Sequence, residues 1–385
     1  MRLLEVRRLK LLNSLSMNKY QKIYIMIALA ALLFPLFSQA DEIKEETTNF
    51  KSEVVEVMKI EEKIREDGTK FKQQDLKLLG LEGAWKNKEI IYKGISDIEV
   101  ANANFYKAGD EVYVEGHTDE SGQHIFYVVD FVRSGYLYIL FIIFVLAVLL
   151  VGRSKGLKAL ISLFLSFVVI IKFILPQILN GRDPFLISLM GGLVILGIII
   201  YLTEGFKRKS HIAVLSVLVS LSATLILSII FTKLTKLSGL AQEEAAFLIG
   251  VGNVEINFQG LLLAGFIIGA IGVLDDIIVG QIEAVEQIRE ANPNLPTKKV
   301  FQLAYKVGNT HLGAIVNTLF LTYAGAALPL LLLFIINQNS GLTFNRLINT
   351  EIISTEIVRT LVGSIGVILS MPIATFLASV RLNNK

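Results

Sequence analysis

The chain has 385 residues, of which 53% are hydrophobic and 18% are charged. A soluble globular chain is normally about one quarter charged, so this composition excludes most soluble enzymes and disordered proteins and favours a membrane protein. The net charge of +3, from 37 Lys and Arg against 34 Asp and Glu, is too small to indicate a nucleic-acid partner. The chain has no cysteine, which excludes disulfides, thiolate metal ligands and cysteine nucleophiles.

Residues 1–40 have the pattern of an export signal. Lys19 and Lys22 precede an apolar run that ends at Phe37, and small residues up to Ala40 come before an acidic stretch. We predict a cleavable signal peptide, with Met17 as an alternative start. An uncleaved anchor is the other interpretation, although the apolar run is short for a membrane span.

Residues 41–134 are predicted to form a small extracytoplasmic β domain. Polar and apolar residues alternate in several short stretches, most clearly at 111–116, and Asp119–Gly122 supplies turn residues for a hairpin. A segment of this length with several short strands favours a compact barrel or sandwich, with an OB-like barrel as one form. His117 and His124 flank the turn and are interpreted as half-exposed residues at strand ends rather than as a metal-binding pair.

Residues 135–385 are predicted to form a seven-helix transmembrane domain, since seven apolar stretches are long enough to cross a bilayer of about 30 Å. They are Tyr136–Val151, Leu157–Leu179, Phe185–Leu202, Ile212–Phe231, Phe258–Gly280, Leu312–Ile336 and Ile357–Val380. Lys and Arg concentrate in alternate connections, which by the positive-inside rule places residues 41–134 outside and the C-terminus in the cytoplasm. The predicted fold is therefore an α-helical polytopic protein of the bacterial cytoplasmic membrane with an exported β domain. Two of the outer connections, within 238–259 and 341–354, are predicted to form short amphipathic helices at the membrane surface.

The fifth predicted span has one face with almost no side chains. Gly265, Gly269 and Gly272 are followed on the same helical face by Asp276. Such a glycine seam allows another helix to approach closely, so we predict that this face packs inside the bundle and points Asp276 into it. Asp275 lies about 100° away around the helix. The alternative is that both carboxylates only pair with cations near the helix end.

The seventh predicted span contains a second glycine seam, formed by Gly363 and Gly366. We predict that it also packs against a neighbouring helix. Either glycine seam is equally suited to mediating a homo-oligomer.

The sixth predicted span has a polar stripe that includes His311, Asn317 and Thr318. Asn317 and Thr318 are predicted at a depth comparable to that of Asp276. Carboxylate, amide and hydroxyl oxygens suit hard cations, and a carboxylate with a nearby histidine suits proton transfer. These residues, with Asp275, are therefore predicted to form an ion, proton or substrate site. The alternative is that they make interhelical hydrogen bonds that only fix packing.

The fifth to seventh spans resemble the YibE/F-like family of bacterial multispanning membrane proteins. The resemblance rests on GFIIGAIGVLDDIIVGQIEAVEQIREANPNLP from Gly265 onward, on Asn317-Thr318 and Leu328-Pro329, and on the later LVGSIGVILSMPIATFLASV. It is expected to cover the chain from the β segment through the spans. The resemblance implies a multispanning architecture and, by the family's usual label, a permease, but neither a reaction nor a substrate.

Three classes of function remain in order of preference. The first is a permease-like protein, with ion- or proton-coupled transport of an unknown small solute. The second is a non-transporting membrane sensor or assembly partner whose β domain binds a protein or envelope ligand. An enzyme comes last, because the spans contain neither a nucleophile–base pair nor a metal-ligand set, and two adjacent aspartates on one helix diverge and do not form an aspartyl-protease dyad. We therefore expect no enzymatic activity, no cofactor and no bound metal.

Overall fold

The computed structural model describes residues 48–64, 70–95, 104–118, 122, 124–241, 243–249, 255–337 and 343–382. The predicted signal peptide lies outside the described residues. Among these residues, a first compact unit ends at Val151 and a second begins at Gly152.

The first unit contains a five-stranded antiparallel sheet. Its strands are β1 (Thr48–Ile64), β2 (Lys70–Gly80), β3 (Glu89–Lys93), β4 (Glu111–Thr118) and β5 (His124–Phe131). The strand order is β3-β2-β1-β4-β5, and the two edge strands contact each other. The sheet is therefore a half-barrel, which confirms the predicted β domain in the form of a partly open barrel.

Alternate side chains of the strands fill the half-barrel. The aromatic rings of Phe50 and Trp85 stack with centroids 6.1 Å apart at the edge of this core. β1 follows the curvature through two irregularities in its pairing with β2, next to Val54 and Val57. The fully buried aliphatic residues of the core are Val54, Leu76, Leu78, Val112 and Val114.

The two histidines of the predicted hairpin have separate surroundings. His117 Nε2 lies 3.3 Å from the carboxylate of Glu115 on the same strand. His124 Nδ1 lies 3.1 Å from Thr118 Oγ1, its partner across the hairpin. Each ring thus contacts a different neighbour.

The second unit is helical. α1 (Ser134–Val169) crosses the unit boundary and continues through a π-helical turn (Ile170–Ile174) into α2 (Leu175–Leu179). The remaining helices are α3 (Pro184–Glu204), α4 (Arg208–Leu234), α5 (Glu243–Leu248), α6 (Phe258–Ala291), α7 (Thr297–Ala326), α8 (Leu328–Asn337), α9 (Phe344–Ile348) and α10 (Glu351–Arg381). The short helices α5 and α9 lie where amphipathic helices were predicted, and their position at a membrane surface stays a prediction.

Five helical segments of the described chain are long and apolar enough to cross a membrane, which is fewer than the predicted seven. They are Ser134–Leu179, Pro184–Glu204, Arg208–Leu234, Phe258–Ala291 and Glu351–Arg381. The first two predicted spans fall within one segment, which is interrupted at Arg153, where φ is 48°. The predicted sixth span is divided at Ala327 between α7 and α8, and the polar residues of α7 lower its hydropathy.

α6 is the central helix of the second unit, in contact with α3, α4, α7 and α10. Its buried aliphatic side chains repeat at helical spacing along one side. Because lipid is as apolar as leucine, helix association in a membrane depends on van der Waals fit and hydrogen bonds. The buried residues on this side are Ile267, Ile271, Leu274, Ile278 and Ile282.

α4 and α10 pack through small side chains. From Ser216 to Thr232, every fourth residue of α4 is a buried Ser or Thr, and α10 carries buried small residues at the same spacing. Small residues at this spacing let two helix backbones approach closely. Gly366 packs directly against Thr224. The two sets are Ser216, Ser220, Thr224, Ser228 and Thr232 on α4, and Gly366, Ser370, Ala374 and Ala378 on α10.

Candidate functional site

A small cleft lies between α4, α6, α7 and α10. Its volume is about 30 Å³, which is room for about two water molecules or one small ion. Three of these helices are membrane-crossing candidates, so the cleft lies inside the apolar bundle. Its lining residues are Thr224, Ser228, Gly265, Phe266, Gly269, Ala270, Val273, Leu319, Tyr323, Arg359, Val362, Gly363 and Val367.

Glycines make room for the cleft instead of bringing helices together. At Gly269, the nearest described atom to the place of a Cβ is the Tyr323 hydroxyl oxygen, at 4.0 Å. At Gly265, Gly272 and Gly363, no described atom lies within 4 Å of the place of a Cβ. Gly366 is the exception among the glycines of the two predicted seams. The structure therefore does not show the close helix approach predicted at these positions.

One face of α6 is open along its length. Gly265, Gly269, Gly272, Asp276 and Gly280 are all exposed, and we call this set the open glycine face. The aliphatic side chains of the opposite side are buried instead. The prediction that Asp276 points into the bundle is thus not met, because large side chains gain more dispersion contact on packing than glycines do.

Asp275, the neighbour of Asp276, lies on the packed side of α6. Its side chain is half-buried, and its buried Oδ1 has no hydrogen-bond partner among the residues that the structure describes. Asp276 and Glu204 are the charged groups that act on it. A carboxylate oxygen without a partner at this depth is costly, so Asp275 is a stronger site candidate than the sequence indicated.

The predicted polar stripe of α7 does not join these carboxylates. His311, Asn317 and Thr318 are exposed, and Thr318 Oγ1 donates to the Ala314 carbonyl oxygen of its own helix at 2.9 Å. In the described part of the chain, no hydrogen bond links any of the three to Asp275 or Asp276. Tyr323, further along α7, is the polar residue of this helix that lines the cleft.

Arg359 supplies the positive charge of the cleft. Its Nη1 donates to Glu356 Oε1 at 2.7 Å, and its Cζ lies 5.5 Å from the centroid of the Phe266 ring. Arg359 shares a helical face with Gly363 and Gly366, but the cleft beside this face forms only when the helices pack together.

Lys209 ties three helices together at one end of the bundle. Its Nζ lies 2.8 Å from both Glu283 and Glu286 of α6 and 3.6 Å from Glu204 of α3. Its side chain is only 14% exposed. Lys209 therefore links α3, α4 and α6 at this end of the bundle.

Arg289 and Gln281 are two further residues that the sequence did not single out. Arg289 is buried and donates to the carbonyl oxygens of Leu295 at 2.6 Å and Ser379 at 3.2 Å. Gln281 Nε2 donates to the Ala304 carbonyl oxygen at 2.7 Å. These bonds fix the turn between α6 and α7 and hold the end of α10 beside it.

The long apolar helices, packed around a partly polar cleft, indicate a polytopic membrane protein. The sequence model of one family, described as YibE/F-like protein, matches residues 140–384. The chain belongs to this family, which confirms the resemblance seen in the sequence. The match begins within α1, so the β domain that the resemblance was expected to include lies outside it. No curated protein matches the chain. No solved structure matches it either.

Proposed function

We propose that this protein is a permease of the bacterial cytoplasmic membrane that moves a small solute, with an ion or proton bound at a carboxylate of α6. It acts without a cofactor and without enzymatic activity. Residues 41–134 lie outside the cell, and the end of the bundle that contains Lys209 faces the cytoplasm, where the positive-inside rule favours its basic neighbours.

The open glycine face is the observation that carries this proposal. It begins at the cleft beside Gly265 and Gly269 and reaches Asp276 seven residues further on, about 10 Å along the helix. A membrane helix rarely presents both a carboxylate and a series of bare glycines to lipid, since a charge there costs several kcal/mol. A path for a hydrated or polar solute along this face accounts for both features.

The two carboxylates have distinct roles in this scheme. Asp276 is exposed on the open face and is positioned to bind the ion or proton that accompanies the solute. Asp275 lies on the packed side of α6, where a proton bound to its Oδ1, which has no partner among the described residues, removes the cost of a buried charge. Binding and release of a proton at Asp275 change how α6 packs, and this couples the packing of α6 to the presence of solute in the path.

The test is a flux measurement on the full-length protein in lipid vesicles that contain a pH-sensitive dye. Gradients of sodium chloride, sodium formate, potassium chloride and alanine serve as probes. We expect wild-type vesicles to show a probe-dependent pH change above that of protein-free vesicles. Asp276→Asn and Asp275→Asn are expected to reduce it at least tenfold.

Glu290→Gln is the matched control, because Glu290 is an exposed carboxylate further along α6. Wild-type vesicles that behave like protein-free vesicles with every probe would contradict the permease proposal. Full flux in Asp276→Asn and Asp275→Asn would reject the roles given to the two carboxylates.

A sensor or assembly partner is the second candidate, favoured by the surface of β5. Ile125, Tyr127 and Val129 alternate on this edge strand and are 40%, 52% and 56% exposed. Exposed apolar groups on an edge strand are typical of a surface that another protein covers. Site-specific photo-crosslinking from position 127 in the full-length protein in cells tests this, with position 89 on β3 as the control. A partner captured only from position 127, with no flux in vesicles, would favour the second candidate.

A further inference from the structure

The polar groups of the cleft are mainly hydrogen-bond donors. Arg359 has five N–H donors, and Glu356 is its one hydrogen-bonding partner among the residues that the structure describes. The Tyr323 hydroxyl has no hydrogen-bonding partner within that part of the chain. The hydroxyls of Thr224 and Ser228, in contrast, already donate to carbonyl oxygens of α4 at 2.9 Å.

The cleft also has a positive charge without an acidic lining. Arg359 belongs to its wall, and the described lining residues include no Asp or Glu. Glu356 lies beside the guanidinium on α10, where it offsets part of the cost of keeping a cation inside the bundle. A second negative group, in contact with the remaining N–H donors, would offset the rest.

We propose that the cleft binds one small monovalent anion, held by the Arg359 guanidinium and the Tyr323 hydroxyl. The volume of about 30 Å³ is enough for a small anion such as a halide, nitrate or formate. The inference rests on the proposed function only in taking this anion as the solute that the permease moves. Binding itself requires no transport.

The open glycine positions set the size of the site. Gly363 and Gly269 line the cleft, and a methyl group at either position enters free space or meets the Tyr323 hydroxyl. A Gly→Ala change there therefore fills the site without a clash against a neighbouring backbone. It also favours the helix, since alanine has the higher helix propensity.

The experiment measures anion binding to the full-length protein in detergent. Sodium chloride, sodium nitrate and sodium formate are titrated against sodium gluconate at constant ionic strength, by thermal unfolding and by calorimetry. A ligand that binds the native state raises the unfolding midpoint in a saturable way. We expect at least one small anion to do so and gluconate not to.

Five variants separate a built site from a general salt effect. Arg359→Gln and Gly363→Ala are expected to weaken anion binding about tenfold or more, because one removes charged donors and the other fills the space. Glu356→Gln is expected to tighten it, since the guanidinium is no longer shared with a carboxylate. Arg346→Gln, at an exposed arginine of α9, and Gly313→Ala, at an open glycine of α7, are matched controls and are expected to bind like wild type.

Two results would overturn the proposal. One is the absence of a saturable response to all three anions, and the other is an equal response in wild type, Gly363→Ala and Glu356→Gln. If Arg359→Gln does not fold, Gly363→Ala and Glu356→Gln still show whether the cleft binds an anion. Anion binding without flux would reject the permease and keep the site, whereas anion-independent flux without binding would reject the site and keep the permease.

Discussion

A Cβ placed on Gly366 of α10 would lie 2.2 Å from Thr224 Oγ1 of α4, so these two helices meet with no room for even a methyl group. Three residues earlier on the same helix, Gly363 has open space at the corresponding place. The two glycines of one predicted seam therefore have opposite roles. Gly366 brings two helices together, and Gly363 leaves a cleft between them.

Gly366→Ala is expected to destabilise the protein by about 1–3 kcal/mol, the usual cost of overpacking a tight contact. Gly363→Ala is expected to be neutral or to stabilise by up to about 1 kcal/mol, because alanine is the better helix former. Thermal unfolding of both variants in the same detergent measures the difference. Equal destabilisation by the two substitutions would show that both glycines pack tightly.

Lys209→Met is expected to destabilise the bundle by about 2 kcal/mol or more, since it leaves the carboxylates of Glu283 and Glu286 without their cation. This destabilisation is at the low end for the loss of one partner of an ion pair, because the two carboxylates are 43% and 31% exposed and therefore partly solvated. Lys207→Met, at an exposed neighbour, is the control and should change little. Adding Glu283→Gln and Glu286→Gln to Lys209→Met should recover stability, and a triple variant as unstable as the single one would contradict this account.

Glu351→Gln is expected to loosen the start of α10. The Glu351 carboxylate accepts hydrogen bonds from the Ser238 hydroxyl at 2.8 Å and from the Gly239 backbone N–H at 3.0 Å, across more than a hundred residues of sequence. An amide keeps the size but loses the charge and one acceptor, so we expect a loss of about 1–2 kcal/mol. Hydrogen exchange of the residues around Ser238 should rise in this variant and stay unchanged in Glu255→Gln.

The β domain is expected to lose part of its stability in acid through Asp130. The Arg133 guanidinium, with the Phe131 backbone N–H, holds the pKa of the Asp130 carboxyl below its ordinary value of 3.8. This stabilisation is therefore complete above pH 3.8 and is lost as the pH falls through the lowered folded-state value. Trp85 is the single tryptophan of the chain and reports on this domain by its fluorescence. The free energy of unfolding, measured with denaturant by Trp85 fluorescence, should fall over this pH window in wild type and should change less in Asp130→Asn.

Periodicity in the sequence predicted which residues share a helix face but not which face meets a neighbour. Gly265, Gly269, Gly272 and Asp276 do lie on one side of α6, as expected. The choice of the buried side depended on what the neighbouring helices present; Gly192 of α3, for example, leaves the space that Ile271 occupies. A pattern within one helix does not contain that information, so it did not show that Asp276 lies on the exposed side and Asp275 on the packed side.

The small residues of α4 were visible in the sequence and were overlooked. Ser and Thr recur at every fourth position from Ser216 to Thr232, and this spacing is as regular as that of the glycines. The hydroxyls of Ser216, Thr224 and Ser228 hydrogen-bond within the helix, for example from Ser216 to the Ile212 carbonyl oxygen at 2.8 Å, so these residues pack as small groups. The cleft could not be predicted, because it needs four helices brought together by contacts far apart in sequence.

Cysteine labelling shows whether the open glycine face lines an aqueous path. The natural chain has no cysteine, so each variant carries a single thiol. Gly272→Cys lies on the open face, Ile278→Cys on the buried side, and Leu321→Cys at a 73% exposed apolar position of α7. A water-soluble maleimide reacts with a thiolate, which forms only where water reaches the thiol. In lipid vesicles we predict fast labelling of Gly272→Cys and slow labelling of the other two. Labelling of Gly272→Cys as slow as that of Ile278→Cys would mean that water does not reach this face and would contradict the proposed path.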